Sequence, residues 1–117
     1  MALVQEQSET FKTKDWNAYL INNRSSAIEM VLIVSKGNLK TKTSSTLRHK
    51  LDVLPAKSYA KVELIQEELF ALNNQFKVTF FVGNTMFEKT FLFRKNTINI
   101  KALQPIPLME ARGVLVK

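Results

Sequence analysis

The chain of 117 residues has no cysteine, a single histidine and only three glycines. Without cysteine there are no disulfides, no thiolate catalysis and no cysteine-ligated zinc or iron–sulfur centre. Three isolated glycines cannot build a glycine-rich phosphate loop. A serine–histidine–acid relay would have to use His49, and the apolar neighbours of His49 on its strand face indicate a packed position instead. We therefore expect no enzyme activity, no cofactor and no metal site.

The sequence also lacks long apolar runs. The longest, Met30 to Val34, is far too short to span a bilayer, and the N-terminus has no basic stretch followed by an apolar one. These features predict a soluble, unexported, cytoplasmic chain that has no membrane partner.

Negative charge is missing from one segment in particular. The net charge is +7, and no acidic residue occurs between Lys36 and Lys50. Such a segment predicts contact with anions, and the candidate residues are Lys36, Lys40, Lys42, Arg48 and Lys50. The favoured interpretation is a long, solvated, mobile connection, because like charges in a run rich in hydroxyl residues are usually just solvated.

Most of the remaining chain alternates between apolar and polar residues with a period of two. The segment Ala27 to Ser35 is apolar on both faces except for Glu29, which predicts a central strand. "TLRHKLDV" places Leu47, His49, Leu51 and Val53 on one face, and "SYAKVELI" places Ala60, Val62 and Leu64 opposite Tyr59, Lys61 and Glu63. The pattern predicts an all-β antiparallel sandwich, immunoglobulin-like in size and strand count, with a small open β-barrel as the alternative. Residues 16–117 form the predicted single domain, and residues 1–15 an N-terminal arm whose order the sequence leaves open.

The segment Phe76 to Asn96 predicts a β-hairpin. Gly83-Asn84 between two apolar runs indicates a two-residue type II′ turn, which places Phe81 opposite Met86 and Phe80 opposite Phe87. One face then carries the predicted core residues Phe76, Val78, Phe80, Val82, Phe87, Phe91 and Phe93, interrupted by Lys89.

The other face of this hairpin is polar, except that it also carries Phe81, Met86 and Leu92. These three are the candidate partner-contact residues. Cover by the apolar stretch Leu103 to Met109 of the same chain is the favoured explanation for Phe81 and Met86, and a contact with another chain is the alternative.

Four segments, "DWNAYLINN", "TLRH", "LPAKSYAKVELI" and "GNTMFEKTFLFRKNTIN", resemble a small family of single-domain bacterial proteins of unknown function, over most of the chain. Some members are labelled phenylalanyl-tRNA synthetase alpha subunit. Such a subunit is a much longer chain with a class II catalytic core, which a chain of this size cannot contain, and no motif of that core occurs here. The resemblance therefore implies no activity.

The sequence leaves two binding functions open. The favoured one is a non-enzymatic structural or protein-interaction module that binds a protein partner or associates with itself. The alternative is a basic domain that binds nucleic acid or another anion. The phenylalanines argue against nucleic acid, because the core needs the face that they occupy, whereas stacking on bases needs rings in solvent.

Overall fold

A computed structural model describes residues 1–7, 13–40 and 42–117. In this part of the chain there are ten strands, β1 to β10. In chain order they are Ala2–Gln7, Lys14–Asn22, Ile28–Leu39, Lys42–Thr43, Leu47–Leu54, Ser58–Ile65, Asn73–Val82, Thr85–Phe93, Gln104–Pro105 and Arg112–Leu115. Two short 3-10 turns, Glu67–Ala71 and Ile100–Ala102, precede β7 and β9.

The strands form two antiparallel sheets. The first has the order β6-β2-β1-β10-β9; in the second, β4 and β5 both pair with β3, which is followed by β7 and β8. Side chains of both sheets share one hydrophobic core, which includes Leu3 and Trp16 from the first sheet and Ile33 and Phe76 from the second. The prediction of an all-β sandwich is confirmed, and strand pairing within two separate sheets does not correspond to the barrel alternative.

The N-terminal segment lies inside the first sheet. Strand β1 pairs with β2 on one side and with β10 on the other. Leu3 packs between the sheets, whereas Ala2 and Val4 on the opposite face are covered by Ile106. Ala2–Gln7 is therefore a central strand and not an arm outside the domain. Because its first residues are buried on both faces, they lack the period-two alternation that predicts the other strands.

The β7–β8 hairpin has the predicted register. Phe81 pairs with Met86 and Phe80 with Phe87, and Gly83 takes the positive φ of +60° that a type II′ turn requires at its first position. The turn residues thus determine which side chains face the core.

The predicted core face of this hairpin is buried except near its tip. Phe76, Val78, Phe80, Phe91 and Phe93 are buried, and Val82 is half-buried. Phe87, however, is 39% exposed, so its assignment to the core was wrong. The Phe87 ring lies on the edge strand β8, where it stacks on Phe80 and is covered by the guanidinium of Arg24, 5.4 Å from the ring centre.

Candidate functional site

Exposed apolar side chains form a row across the outer face of the second sheet. Glu29 of β3 pairs with Val53 of β5 on one side and with Phe81 of β7 on the other, and Phe81 pairs in turn with Met86 of β8. Val53 is 52% exposed, Met86 is 59% exposed and Phe81 is half-buried. The row therefore presents apolar surface to solvent on three strands.

Met30 is an exposed apolar residue next to this row in the chain. The pairing of β3 with β7 shifts between Glu29 and Leu32, which marks a β-bulge at Met30. Its φ of 48° lies in the left-handed region, which costs a residue with a side chain about 1–2 kcal/mol, and its side chain is 70% exposed. We call Met30, Val53, Phe81 and Met86 the tip patch.

Charged residues lie in and beside the tip patch. Glu29 lies in the row itself, Asp52 lines a small cleft together with Met30, and Glu88 is paired with Thr79, next to Met86 along β8. Glu88 forms a 3.5 Å ion pair with Lys77. Lys50 lines the same small cleft as Met30 and Asp52, so the charges beside the tip patch are of both signs.

The structure brings together two of the three predicted partner-contact residues. Phe81 and Met86 are cross-strand neighbours, whereas Leu92 pairs with Gln75, six residues and about 20 Å further along β8. The expected cover of Phe81 and Met86 by Leu103 to Met109 is not found. Ile106 and Met109 of that stretch pack instead on the outer face of the first sheet, against Ala2, Val4 and Tyr19.

Sequence reasoning missed Met30 and Val53. A strict alternation along β5 puts Val53 on the same face as Leu51, but Leu51 pairs with the buried Val31 while Val53 pairs with the exposed Glu29. The reason is the bulge at Met30, which interrupts the alternation of inward and outward side chains. No residue type near Met30 indicates a bulge.

The predicted anion-contact residues lie mostly in strands. Lys36 belongs to β3, Lys42 to β4, and Arg48 and Lys50 to β5, while Lys40 is at the β3–β4 turn with a φ of 53°. The nitrogen of Ser44 donates to the carbonyl of Gly37 over 2.7 Å. The segment is therefore a short hairpin followed by an edge strand, and the prediction of one long connection was wrong.

A buried carboxylate links the two sheets near this hairpin. Ala18 of β2 pairs with Glu63 and Tyr19 with Lys61, so Val62 is an extra residue of β6 and forms a bulge. Beyond this bulge Glu63 turns inward and Leu64 outward, the reverse of the predicted faces.

Glu63 Oε1 accepts hydrogen bonds from two residues of the second sheet. Ser35 Oγ donates over 2.5 Å, and His49 Nε2 lies 3.2 Å away. Ser35 and Glu63 also line a cleft of about 280 Å³. In a serine–histidine–acid relay the histidine stands between the other two groups, whereas here the carboxylate stands between serine and histidine.

Two groups with shifted pKa values lie away from these residues. Burial, together with a 2.6 Å hydrogen bond that the Tyr19 hydroxyl donates to Glu6, raises the pKa of Tyr19. Burial, together with the charge of Lys89, lowers the pKa of the Met1 amine to about 5. In both cases burial disfavours the charged form, which is the tyrosinate of Tyr19 and the ammonium of Met1.

Within residues 1–7, 13–40 and 42–117, no cluster of three or more histidine or acidic side chains is placed to hold a metal ion. No helix among the described residues combines the length and the apolar character needed to cross a membrane. Comparison with known proteins gives no matching family model, no matching curated protein and no matching solved structure.

Proposed function

We propose that this chain is a non-enzymatic protein-interaction module that docks another protein on the tip patch. One observation carries the proposal: Val53, Phe81 and Met86 of β5, β7 and β8 lie in one row on the outer sheet face, and the exposed bulge residue Met30 of β3 follows Glu29 of that row. Isolated apolar residues on a surface are common, but a contiguous group with a polar surround is typical of contact sites.

The composition of the tip patch suits a protein partner. Phe81 is half-buried and held by its strand neighbours, so it offers a rigid aromatic ring. Met86 beside it and Met30 at the bulge are flexible and polarisable, and such side chains adapt to the shape of an apolar partner surface. Aromatic and methionine side chains are also enriched at the centres of protein interfaces.

The proposed partner is a different protein, because Glu29 and Asp52 lie in or beside the apolar row and a partner can supply cations to complement them. A partner with an apolar centre and lysine or arginine side chains around it would complement these acids. A cytoplasmic partner is part of the proposal, because a chain without cysteine suits a reducing compartment.

The test uses a double variant of exposed residues. Val53→Ser with Met86→Ser removes apolar surface while leaving the core intact, so we expect its unfolding free energy to stay within about 1 kcal/mol of the parent. Proteins that co-purify with the tagged parent from its native cell are identified by mass spectrometry. The expected result is that at least one of them is absent with the double variant.

A matched control is Ile100→Ser, which changes an exposed apolar residue, 65% exposed, in the 3-10 turn Ile100–Ala102. The control should retain the partner that the double variant loses. If the double variant folds normally and retains every protein that the parent retains, the tip patch is not the docking surface and the proposal fails.

A further inference from the structure

A second feature lies at the end of the sandwich where β2 leads into β3. The connection between these strands crosses from the first sheet to the second, and beside it opens a cleft of about 250 Å³. Its walls include five residues of the hydrophobic core, namely Leu20, Ile28, Val78, Phe80 and Phe91. A cavity of roughly 150 Å³ with apolar walls is enough to hold benzene. The cleft therefore has room for one aromatic ring and a short substituent.

Two cations are placed over aromatic rings at this cleft. The guanidinium carbon of Arg24 lies 5.3 Å from the ring centre of Phe80. Lys89 lies on the inner face of β8, because it pairs with the buried Val78, and its Nζ is 5.1 Å from the ring centre of Phe91. Both rings and both cations line the cleft, so the two charged groups are at its walls.

The positive charges at the cleft have no acidic partner among the described residues. Neither Arg24 nor Lys89 forms a salt bridge there, and no carboxylate lines the cleft. At exposed positions the contact of a cation with a ring face is only weakly favourable. An anionic group that enters the cleft therefore meets two cations whose charge is not compensated.

The backbone around Arg24 is held by hydrogen bonds on both sides. The nitrogen of Arg24 donates to Asn22 Oδ1 over 3.2 Å, and its carbonyl accepts from the nitrogen of Lys57 over 3.3 Å. Asn22 is itself buried, and its Nδ2 donates to the carbonyls of Leu54 and Pro55 over 3.1 and 2.9 Å. Because this connection is already ordered, less conformational freedom is lost when a ligand binds to it.

We propose that this cleft binds a small aromatic carboxylate. The planar fork of Arg24 matches the two oxygens of a carboxylate, and Lys89 adds a second positive charge. The ring of the ligand packs against Phe80, Phe91 and the aliphatic core residues at the walls. Each half of such a molecule thus meets a matching part of the cleft.

The walls favour this class of ligand over a nucleic-acid strand or a phosphate ion. The bases of single-stranded nucleic acid stack on rings that lie in solvent, whereas Phe80 and Phe91 are buried. Inorganic phosphate has no apolar part, so it would leave the apolar walls in contact with water.

The test compares three probes on the whole chain at low salt, by amide chemical shifts. Phenylacetate carries a ring and a charge, phenylacetamide the ring alone and acetate the charge alone. Phenylacetate should cause its largest shifts from Leu20 to Ile28 and in the β7–β8 hairpin. We expect each of the other two probes to bind at least about tenfold more weakly, because one loses charge-assisted hydrogen bonds and the other the burial of a ring.

Variants locate the site on the chain. In Arg24→Gln we expect the affinity for phenylacetate to fall about tenfold, and in Arg24→Lys less, since the charge remains without the planar fork. Lys89→Gln should lose about threefold, because an exposed charge contributes little. Arg94→Gln and Lys101→Gln make the same charge changes at exposed positions outside the cleft, and they should change the affinity by less than about twofold.

The proposal is overturned if phenylacetate causes no shifts at the cleft, or if phenylacetamide or acetate binds as tightly as phenylacetate. It is also overturned if the control variants weaken binding as much as Arg24→Gln does. The three probes act on the unaltered chain, so the proposal is tested even if a variant unfolds. The tip-patch double variant should bind phenylacetate like the parent, so this proposal and the proposed function fail independently.

Discussion

The carboxylate of Glu63, in the first sheet, accepts a 2.5 Å hydrogen bond from the hydroxyl of Ser35, in the second. His49 Nε2 lies 3.2 Å from the same oxygen. The Glu63 side chain is almost completely buried, and a buried carboxylate without partners would be strongly destabilising. The contact therefore joins the two sheets by polar groups at a point where the apolar core gives way to a cleft.

Removing this carboxylate should destabilise the fold. Glu63→Ala leaves the buried Ser35 hydroxyl without its acceptor, so we expect the free energy of unfolding to fall by about 1–3 kcal/mol. Glu63→Gln retains an acceptor oxygen and should lose less. Urea denaturation of both variants measures the difference, with Glu67→Ala at an exposed position as the control. Equal stability of Glu63→Ala and the parent would contradict a structural role for this contact.

The two facing phenylalanines at the hairpin tip should respond differently to truncation. Phe80 is buried, so Phe80→Ala should cost about 3–5 kcal/mol. Phe87 is 39% exposed and contributes mainly a stacked ring contact and its approach to Arg24, so Phe87→Ala should cost about 1–2 kcal/mol. Thermal or urea unfolding of the two variants measures both losses of stability. Equal costs would show that both rings are equally buried in solution.

The β7–β8 hairpin shows what could be predicted from the sequence. Its register follows from local rules, because Gly83-Asn84 determines the turn and the turn determines every cross-strand pair. The all-β class follows equally from the period-two pattern of the strands. The prediction failed for Phe87, because the period assigns a face but does not say whether the opposite sheet reaches far enough to cover it.

The bulges at Met30 and Val62 show what could not be predicted. Each adds one residue to one strand of a pair, and the residues beyond it then present the opposite faces. The first contributes to the tip patch, and the second turns Glu63 into the molecule. Nor could the contact of Glu63 with Ser35 and His49 be predicted, since it depends on how the two sheets pack.

Two buried glycines should differ in their tolerance of a methyl group. At Gly113 an added Cβ would lie 2.6 Å from the backbone oxygen of Leu3, in the neighbouring strand. At Gly37 the nearest atoms, at 3.1 Å, belong to the side chains of Asn74 and Leu72, which can move.

We therefore expect Gly113→Ala to lose about 1–3 kcal/mol, because β1 and β10 must separate. Gly37→Ala should stay within about 1 kcal/mol of the parent, since relaxation of the side chains and the smaller entropy of the unfolded chain offset the crowding. Chemical denaturation of both variants is the measurement. A Gly113→Ala variant as stable as Gly37→Ala would show that the pairing of β1 with β10 is looser than in the structure.

The conformation of Met30 allows stability and function to be separated at one position. Its φ of 48° is unfavourable for methionine, whereas asparagine adopts the left-handed region more readily. Because the Met30 side chain is 70% exposed, its replacement removes little buried surface. Met30→Asn should therefore be as stable as the parent or up to about 1 kcal/mol more stable, as measured by urea denaturation.

The same variant should bind the docking partner less well, because the thioether leaves the tip patch. Lys36→Asn, at an exposed position further along the same strand, is the control and should retain both stability and partner. A marked loss of stability in Met30→Asn would show that the methionine packs in the fold. Unchanged stability with unchanged partner binding would remove Met30 from the docking surface. A stable variant with weakened binding means that the chain keeps an unfavourable backbone conformation at Met30 for the sake of contact with its partner.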